Sequence, residues 1–313
     1  MKILFAAHKN AWGLLNILKD KLPQHEFHAS GYFGFETLQG FDVLIPTMSI
    51  VDRKALAKSD CLRLIQQCGA GLEGVDIKAA RDMNIWVANV PTDISGNADS
   101  VAELGIYMMI GLSRNPQKMM TSFSNRQMGT PAGIALKDKT IGIVGVGGIG
   151  RALIKRLRAF DVHLIGIKQY NPRKARKELD LEWLGTPKDM DELLGRSDYV
   201  VLCLPLTLKN KHMIGRHAFN RMKPGSFIIN LSRGGLIDRN ALESALRKEK
   251  IGGAGLDVFW EEPPDPDDSI FKYNVLATPH IAGTTDVATR GIVSVVVDNI
   301  NRLEKGLKPL YLK

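Results

Sequence analysis

Lys139-Thr140-Ile141-Gly142-Ile143-Val144-Gly145-Val146-Gly147-Gly148-Ile149-Gly150 is the stretch from which the rest of the chain is read. The β-branched run Ile141, Ile143 and Val144 has the character of a buried parallel strand. It ends in Gly145-x-Gly147-x-x-Gly150, and Arg151 to Phe160 then carries apolar residues at helical spacing. In a strand, turn and helix of this kind the first glycine permits the turn, and the second lets the backbone approach a pyrophosphate. The third lets helix and strand pack closely. The expected ligand is a dinucleotide, its phosphates resting on the helix N-terminus, where N–H groups and the macrodipole favour negative charge. Gly145, Gly147, Gly148, Ile149 and Gly150 are the candidate cradle.

A second strand, Val162 to Ile167, follows the helix and ends at Lys168, where a ribose-reading residue should stand. A carboxylate there would bond a ribose 2′-hydroxyl and repel a 2′-phosphate. Lys168, with Arg173, Lys174, Arg176 and Lys177 close behind, can instead pair with a phosphate. The expectation is therefore NADP(H) in preference to NAD(H), with NAD(H) still possible.

The 313 residues are 44% apolar and 24% charged, the composition of a globular chain long enough for two cored domains. The net charge of +9 raises the question of nucleic acid, but the basic residues are spread along the chain and no nucleic-acid-binding motif accompanies them. Cys61, Cys68 and Cys203 have no metal-ligand spacing, so reduced thiols in a cytoplasmic protein and no metal site are expected. The apolar run at the N-terminus is too short for a signal peptide and fits a strand over residues 2 to 7. No segment has the length and apolarity to span a bilayer.

Upstream of the glycine turn the pattern gives a helix over Trp12 to Leu22 and strands at Phe41 to Pro46, Leu62 to Cys68 and Ile85 to Val90, with a helix from Ile77 to Met83. The third strand runs into Gly69-Ala70-Gly71-Leu72-Glu73-Gly74, a turn whose backbone N–H groups could hold a small carboxylate or merely connect strand to helix. Asn97 opens a helix expected to continue to Phe123. Beyond Lys168 come strands at Tyr199 to Leu204, Ser226 to Asn230, Gly253 to Val258 and Asn274 to Thr278. The expected fold class is α/β: two Rossmann-like domains with doubly wound parallel sheets and ligand across the carboxyl ends of the strands.

Three of those carboxyl ends carry notable polar residues: Asn230-Leu231-Ser232-Arg233-Gly234-Gly235, Asp257-Val258-Phe259-Trp260-Glu261-Glu262-Pro263, and Thr278-Pro279-His280-Ile281-Ala282-Gly283. A parallel sheet puts such ends on one rim, so an arginine, a carboxylate and a histidine can converge beside the dinucleotide turn. With these motifs and the glycine turn in this order, the sequence resembles the D-isomer-specific 2-hydroxyacid dehydrogenase family over nearly its whole length.

The resemblance implies roles for individual residues. Arg233 matches the arginine that holds the substrate carboxylate and carbonyl oxygen, and His280 matches the acid/base that exchanges a proton with that oxygen. Glu262, which precedes Pro263 as in the family pattern, matches the carboxylate partner of the histidine. Ala70 and Gly71 match the backbone N–H pair that grips the substrate carboxylate, and Asp257 matches a residue that binds the nicotinamide amide. Leu204, Pro205, Thr207, Leu231, Ala282 and Gly283 are implied cofactor contacts.

The departures also carry information. Pro46-Thr47-Met48-Ser49 has no arginine to meet a substrate phosphate, and Glu262 stands where formate dehydrogenases resemble one another in having glutamine. The resemblance further implies a discontinuous substrate-binding domain from residues 1–98 and 284–313, a dinucleotide-binding domain from 99–283, and a homodimer. The expected activity is NAD(P)H-dependent reduction of a small 2-keto acid of the glyoxylate, hydroxypyruvate or pyruvate type to the D-2-hydroxy acid. The alternative is a non-catalytic dinucleotide-binding regulator, similar to corepressors of the same fold.

Overall fold

The computed structural model describes residues 1–9 and 11–313, apart from the side chain of Trp12. The chain divides into two compact units, Met1–Asn97 with Thr284–Lys313, and Ala98–Gly283.

The first unit holds a five-stranded sheet of β1 (Lys2–Phe5), β2 (Glu26–Ala29), β3 (Val43–Ile45), β4 (Leu64–Gln66) and β5 (Trp86–Ala88), all pairs parallel, in the order β2-β1-β3-β4-β5. Both faces of the inner strands are buried, which is why β1, β3 and β4 read as largely apolar runs. Ile3, Phe5, Val43 and Ile45 pack on one side with Leu14, Leu15 and Leu18 and with Ile292, Val296 and Ile300 of the helix Asp286–Glu304. Leu4, Leu44, Ile65 and Val87 pack on the other with Leu56, Ala79 and Ala80. Asn299, fully buried, donates to Gln66 Oε1 at 2.7 Å and accepts from the Leu310 N–H at 2.7 Å, which locks the C-terminal segment to this sheet.

The second unit holds β6 (Thr140–Val144), β7 (His163–Ile167), β8 (Trp183–Gly185), β9 (Tyr199–Leu202), β10 (Ser226–Asn230), β11 (Ile251–Leu256) and β12 (Val275–Ala277) in the parallel order β12-β11-β10-β9-β6-β7-β8. Alternate residues face opposite cores. Val144, Val200, Leu202 and Ile228 lie on one side, and Ile141, Ile143, Tyr199, Val201, Phe227 and Ile229 on the other. The strand order reverses between β6 and β9, and the crevice outside the carboxyl ends at such a point is where this architecture binds ligands.

Three features differ from the expected pattern. The helix that begins at Asn97 stops at Arg114, because Pro116 excludes the helical conformation from the residue before it. Asn115 takes a left-handed φ of 51° and caps a separate helix, Pro116–Ser124, through the Lys118 N–H. The edge strands β2 and β8 were not expected: β2 buries only Phe27, and β8 is three residues long with only Gly185 buried, so neither shows an apolar run. The strand expected over residues 2 to 7 ends at Phe5.

Candidate functional site

The glycine turn after β6 meets the three physical demands of a dinucleotide cradle. Gly145 has a φ of 100°, and a Cβ there would lie 2.7 Å from the Cys203 carbonyl oxygen at the end of β9. A Cβ on Gly150 would run into the Gly145 carbonyl, so the helix can lie this close to the strand only with glycine. Around Gly147, by contrast, nothing lies within 4 Å of a built Cβ, which leaves the backbone open to an approaching group. Gly147 opens the helix Gly148–Leu157 with no side-chain cap, so its first N–H groups remain available to an anion. The residues present fit a dinucleotide pyrophosphate.

Lys168 follows β7 directly, and its ammonium donates to the Val146 carbonyl of the glycine turn at 3.0 Å. Of the basic residues behind it, Arg176 is engaged with the Leu181 and Glu182 carbonyls, and Lys174 lies 3.9 Å from Glu178. Leu204, Pro205 and Thr207 form the loop after β9, beside the strand reversal. Asn210, a residue not anticipated, ties this loop by accepting from the Thr207 N–H at 2.6 Å and donating to the Pro205 carbonyl at 2.8 Å. Leu231 and Ala282 are buried in the core, with Gly283 at the end of the unit.

Arg233, Asp257, Glu262 and His280 come from the carboxyl ends of β10, β11 and β12. Asn230, fully buried, holds the first of these turns: it donates to the Arg233 carbonyl at 2.8 Å and accepts from the Ser232 N–H at 3.1 Å. The Arg233 guanidinium donates to the Ser232 carbonyl at 2.7 Å. Gly234 then passes so close to the next loop that a Cβ would fall 2.6 Å from the Trp260 nitrogen and closer still to the Phe259 carbonyl. The Trp260 indole N–H donates to the Ile237 carbonyl at 2.6 Å, fastening the same two loops.

Glu262 accepts from the Phe259 N–H at 3.0 Å with one oxygen and lies 2.7 Å from His280 Nδ1 with the other. Glu261 beside it is exposed. Burial pushes the Glu262 carboxyl up, but the hydrogen bond and charge of His280, the Phe259 N–H and the Arg233 charge outweigh it, so the group sits below its ordinary value. An ionised carboxylate only accepts, so Nδ1 carries the hydrogen and Nε2 is left for another partner.

Asp257 is 1% exposed and accepts from the Thr278 hydroxyl at 2.7 Å, the Ile281 N–H at 2.9 Å and the Ala282 N–H at 3.1 Å. Burial pushes its carboxyl up against those donors. Thr278 was not singled out in the sequence, where nothing but its nearness to His280 marks it. Ala70 and Gly71 lie after β4 in the first unit, where the Ala70 carbonyl accepts from Asn89 at 2.7 Å. Among the described residues, no group of three or more His, Cys, Asp or Glu is placed to hold a metal ion, and no helix is long and apolar enough to cross a membrane.

Residues 106–282 match the family model of the D-isomer specific 2-hydroxyacid dehydrogenase NAD binding domain. The chain belongs to this dehydrogenase family. Glyoxylate reductase of Thermococcus litoralis is 34% identical over 285 residues, which cover 88% of this chain and 84% of that protein. D-3-phosphoglycerate dehydrogenase of Methanocaldococcus jannaschii is 35% identical over 274 residues, 87% of this chain but 51% of that one, so the chain spans about half of that relative's length. The apo-structure of D-lactate dehydrogenase from Escherichia coli is 28% identical, with a TM-score of 0.82 and coverage of 100% of this chain and 99% of that one. Family membership makes the glycine turn of the second unit part of an NAD-binding domain, and the named relatives are oxidoreductases.

Proposed function

We propose that the chain catalyses the NAD(P)H-dependent reduction of a small 2-keto acid, of the glyoxylate, hydroxypyruvate or pyruvate type, to the D-2-hydroxy acid. One observation carries the reading. His280 Nδ1 lies 2.7 Å from a Glu262 carboxylate that also feels the Arg233 charge, on the rim of the sheet whose first turn is the glycine cradle. A bound reduced nicotinamide supplies the hydride.

Arg233 holds the substrate carboxylate and the carbonyl oxygen, a planar bidentate task suited to guanidinium. His280, fixed through Nδ1 by Glu262, gives a proton from Nε2 to the carbonyl oxygen, and in reverse Nε2 takes the hydroxyl proton. The Asp257 carboxylate has one acceptor position beyond its three internal donors for the nicotinamide amide. Gly145, Gly147, Gly148, Ile149 and Gly150 hold the pyrophosphate, with Leu204, Pro205, Thr207, Leu231, Ala282 and Gly283 as further contacts. Ala70 and Gly71 offer backbone N–H groups to the substrate carboxylate, a role that bulky substitution at Gly71 tests.

The cofactor is NADP(H) in preference to NAD(H): Lys168 gives one of its three donors to Val146 and keeps two for a 2′-phosphate. A homodimer is part of the same proposal, supported by exposed Tyr107, Met119, Met120 and Phe123 on consecutive helices, as is a cytoplasmic location. Purified protein given NADPH or NADH and a panel of 2-keto acids tests the activity. Turnover of at least one is expected, whereas tight cofactor binding without any turnover would favour the non-catalytic regulator.

A further inference from the structure

His280 has a φ of 53°, in the left-handed region that residues with a side chain seldom occupy. Such a conformation persists only where its surroundings over-determine it, and here the restraints can be named. The His280 N–H reaches the Asp257 and Thr278 carbonyls, both at 2.9 Å. The next two N–H groups, of Ile281 and Ala282, end on the Asp257 carboxylate, and the Thr278 hydroxyl donates to the oxygen that Ile281 uses, at 2.7 Å. The turn on either side of His280 is thus tied to one buried anion, with Thr278 holding it upstream and the two amides downstream.

We infer that Thr278 is a positioning residue for His280: its hydroxyl fixes the Asp257 carboxylate that clamps the left-handed turn, and the clamp sets the imidazole against Glu262. The inference rests on the keto-acid reading and deepens it. Burial works against the charge on Asp257, so each of its three donors helps to keep the carboxylate ionised. Valine matches threonine in shape, so Thr278→Val removes that donor with little change in packing. The turn then loses its upstream tie while Arg233, on another loop, is untouched.

The test compares wild type, Thr278→Val and Thr278→Ser by two readouts: steady-state reduction of glyoxylate, and backbone amide exchange at Ile281 and Ala282. Thr278→Val is expected to lower kcat by about tenfold to a hundredfold, the scale of misplaced acid/base groups, with the KM for glyoxylate within about twofold. It is also expected to speed exchange at the two amides, and Thr278→Ser to restore both properties. Wild-type kcat and exchange in Thr278→Val, or a serine variant no better than valine, would overturn the inference. If Thr278→Val does not fold, Thr278→Ala against Thr278→Ser makes the same comparison. If wild type reduces no keto acid, the activity proposal fails, and the exchange rates alone decide the clamp.

Discussion

Gly234 gives a prediction whose size follows from its close packing against the next loop. The residue has no left-handed φ, so only space forbids a side chain there. A methyl group at this position would stand 2.6 Å from the Trp260 nitrogen and nearer still to the Phe259 carbonyl, both backbone atoms that no rotamer change can clear. Non-bonded carbon contacts become comfortable at about 3.5 Å, so relieving the Trp260 contact alone moves one of the two loops by about 1 Å, and the nearer Phe259 carbonyl requires more. Either movement is felt at the site. One loop carries Arg233, and the other carries the Phe259 N–H that holds Glu262 at 3.0 Å. Displacement on this scale costs on the order of a hundredfold in rate, while the overpacking costs about 1–3 kcal/mol of stability. Gly234→Ala should therefore remain folded by circular dichroism, melt earlier, bind NADPH nearly as wild type does, and lose about a hundredfold in kcat/KM for keto-acid reduction. Wild-type kcat/KM in a folded variant would refute the view that this close approach registers the two loops.

Three further outcomes follow. Gly147→Ala meets no neighbour within 4 Å, so it should leave the melting temperature unchanged yet weaken NADPH binding by about tenfold or more in a fluorescence titration; unchanged affinity would remove the cradle role. Glu262 is held below its ordinary value, so the stability it contributes is complete above the usual glutamate range and is lost as pH falls through the lowered value. Glu262→Gln should abolish that part of the acid unfolding curve and lower kcat near neutrality by about tenfold or more; a superimposable curve would contradict the ionised pair. Lys168→Asp should shift the ratio of kcat/KM for NADPH to that for NADH toward NADH by about tenfold or more, and an unchanged ratio would end the charge argument for NADP(H).

The sequence made the fold readable where burial is two-sided. Tyr199 to Leu202 and Ser226 to Asn230 stand out as apolar runs because every residue in them is covered. It concealed β2 and β8, since an edge strand with one buried residue leaves no run to notice. The helix break at Asn115 was legible in Pro116, whose effect on the preceding residue outweighs the apolar spacing that bridges it. At the site, Arg233, Glu262 and His280 could be placed on the carboxyl rim by strand counting. The close approach of Gly234 and the Thr278 bond to Asp257 could not, because each depends on how two loops distant in sequence pass one another, while Asn210 and Asn230 close turns within their own loops and carry no apolar pattern to mark them.

Oxidation of NADPH with a panel of 2-keto acids, measured on wild type and on His280→Ala with cofactor binding followed in parallel, addresses the central claim most directly. The expected result is turnover of a small keto acid by wild type, a loss of about a hundredfold or more in the variant, and cofactor binding unchanged between them. An active His280→Ala would contradict the assignment of proton transfer to this histidine.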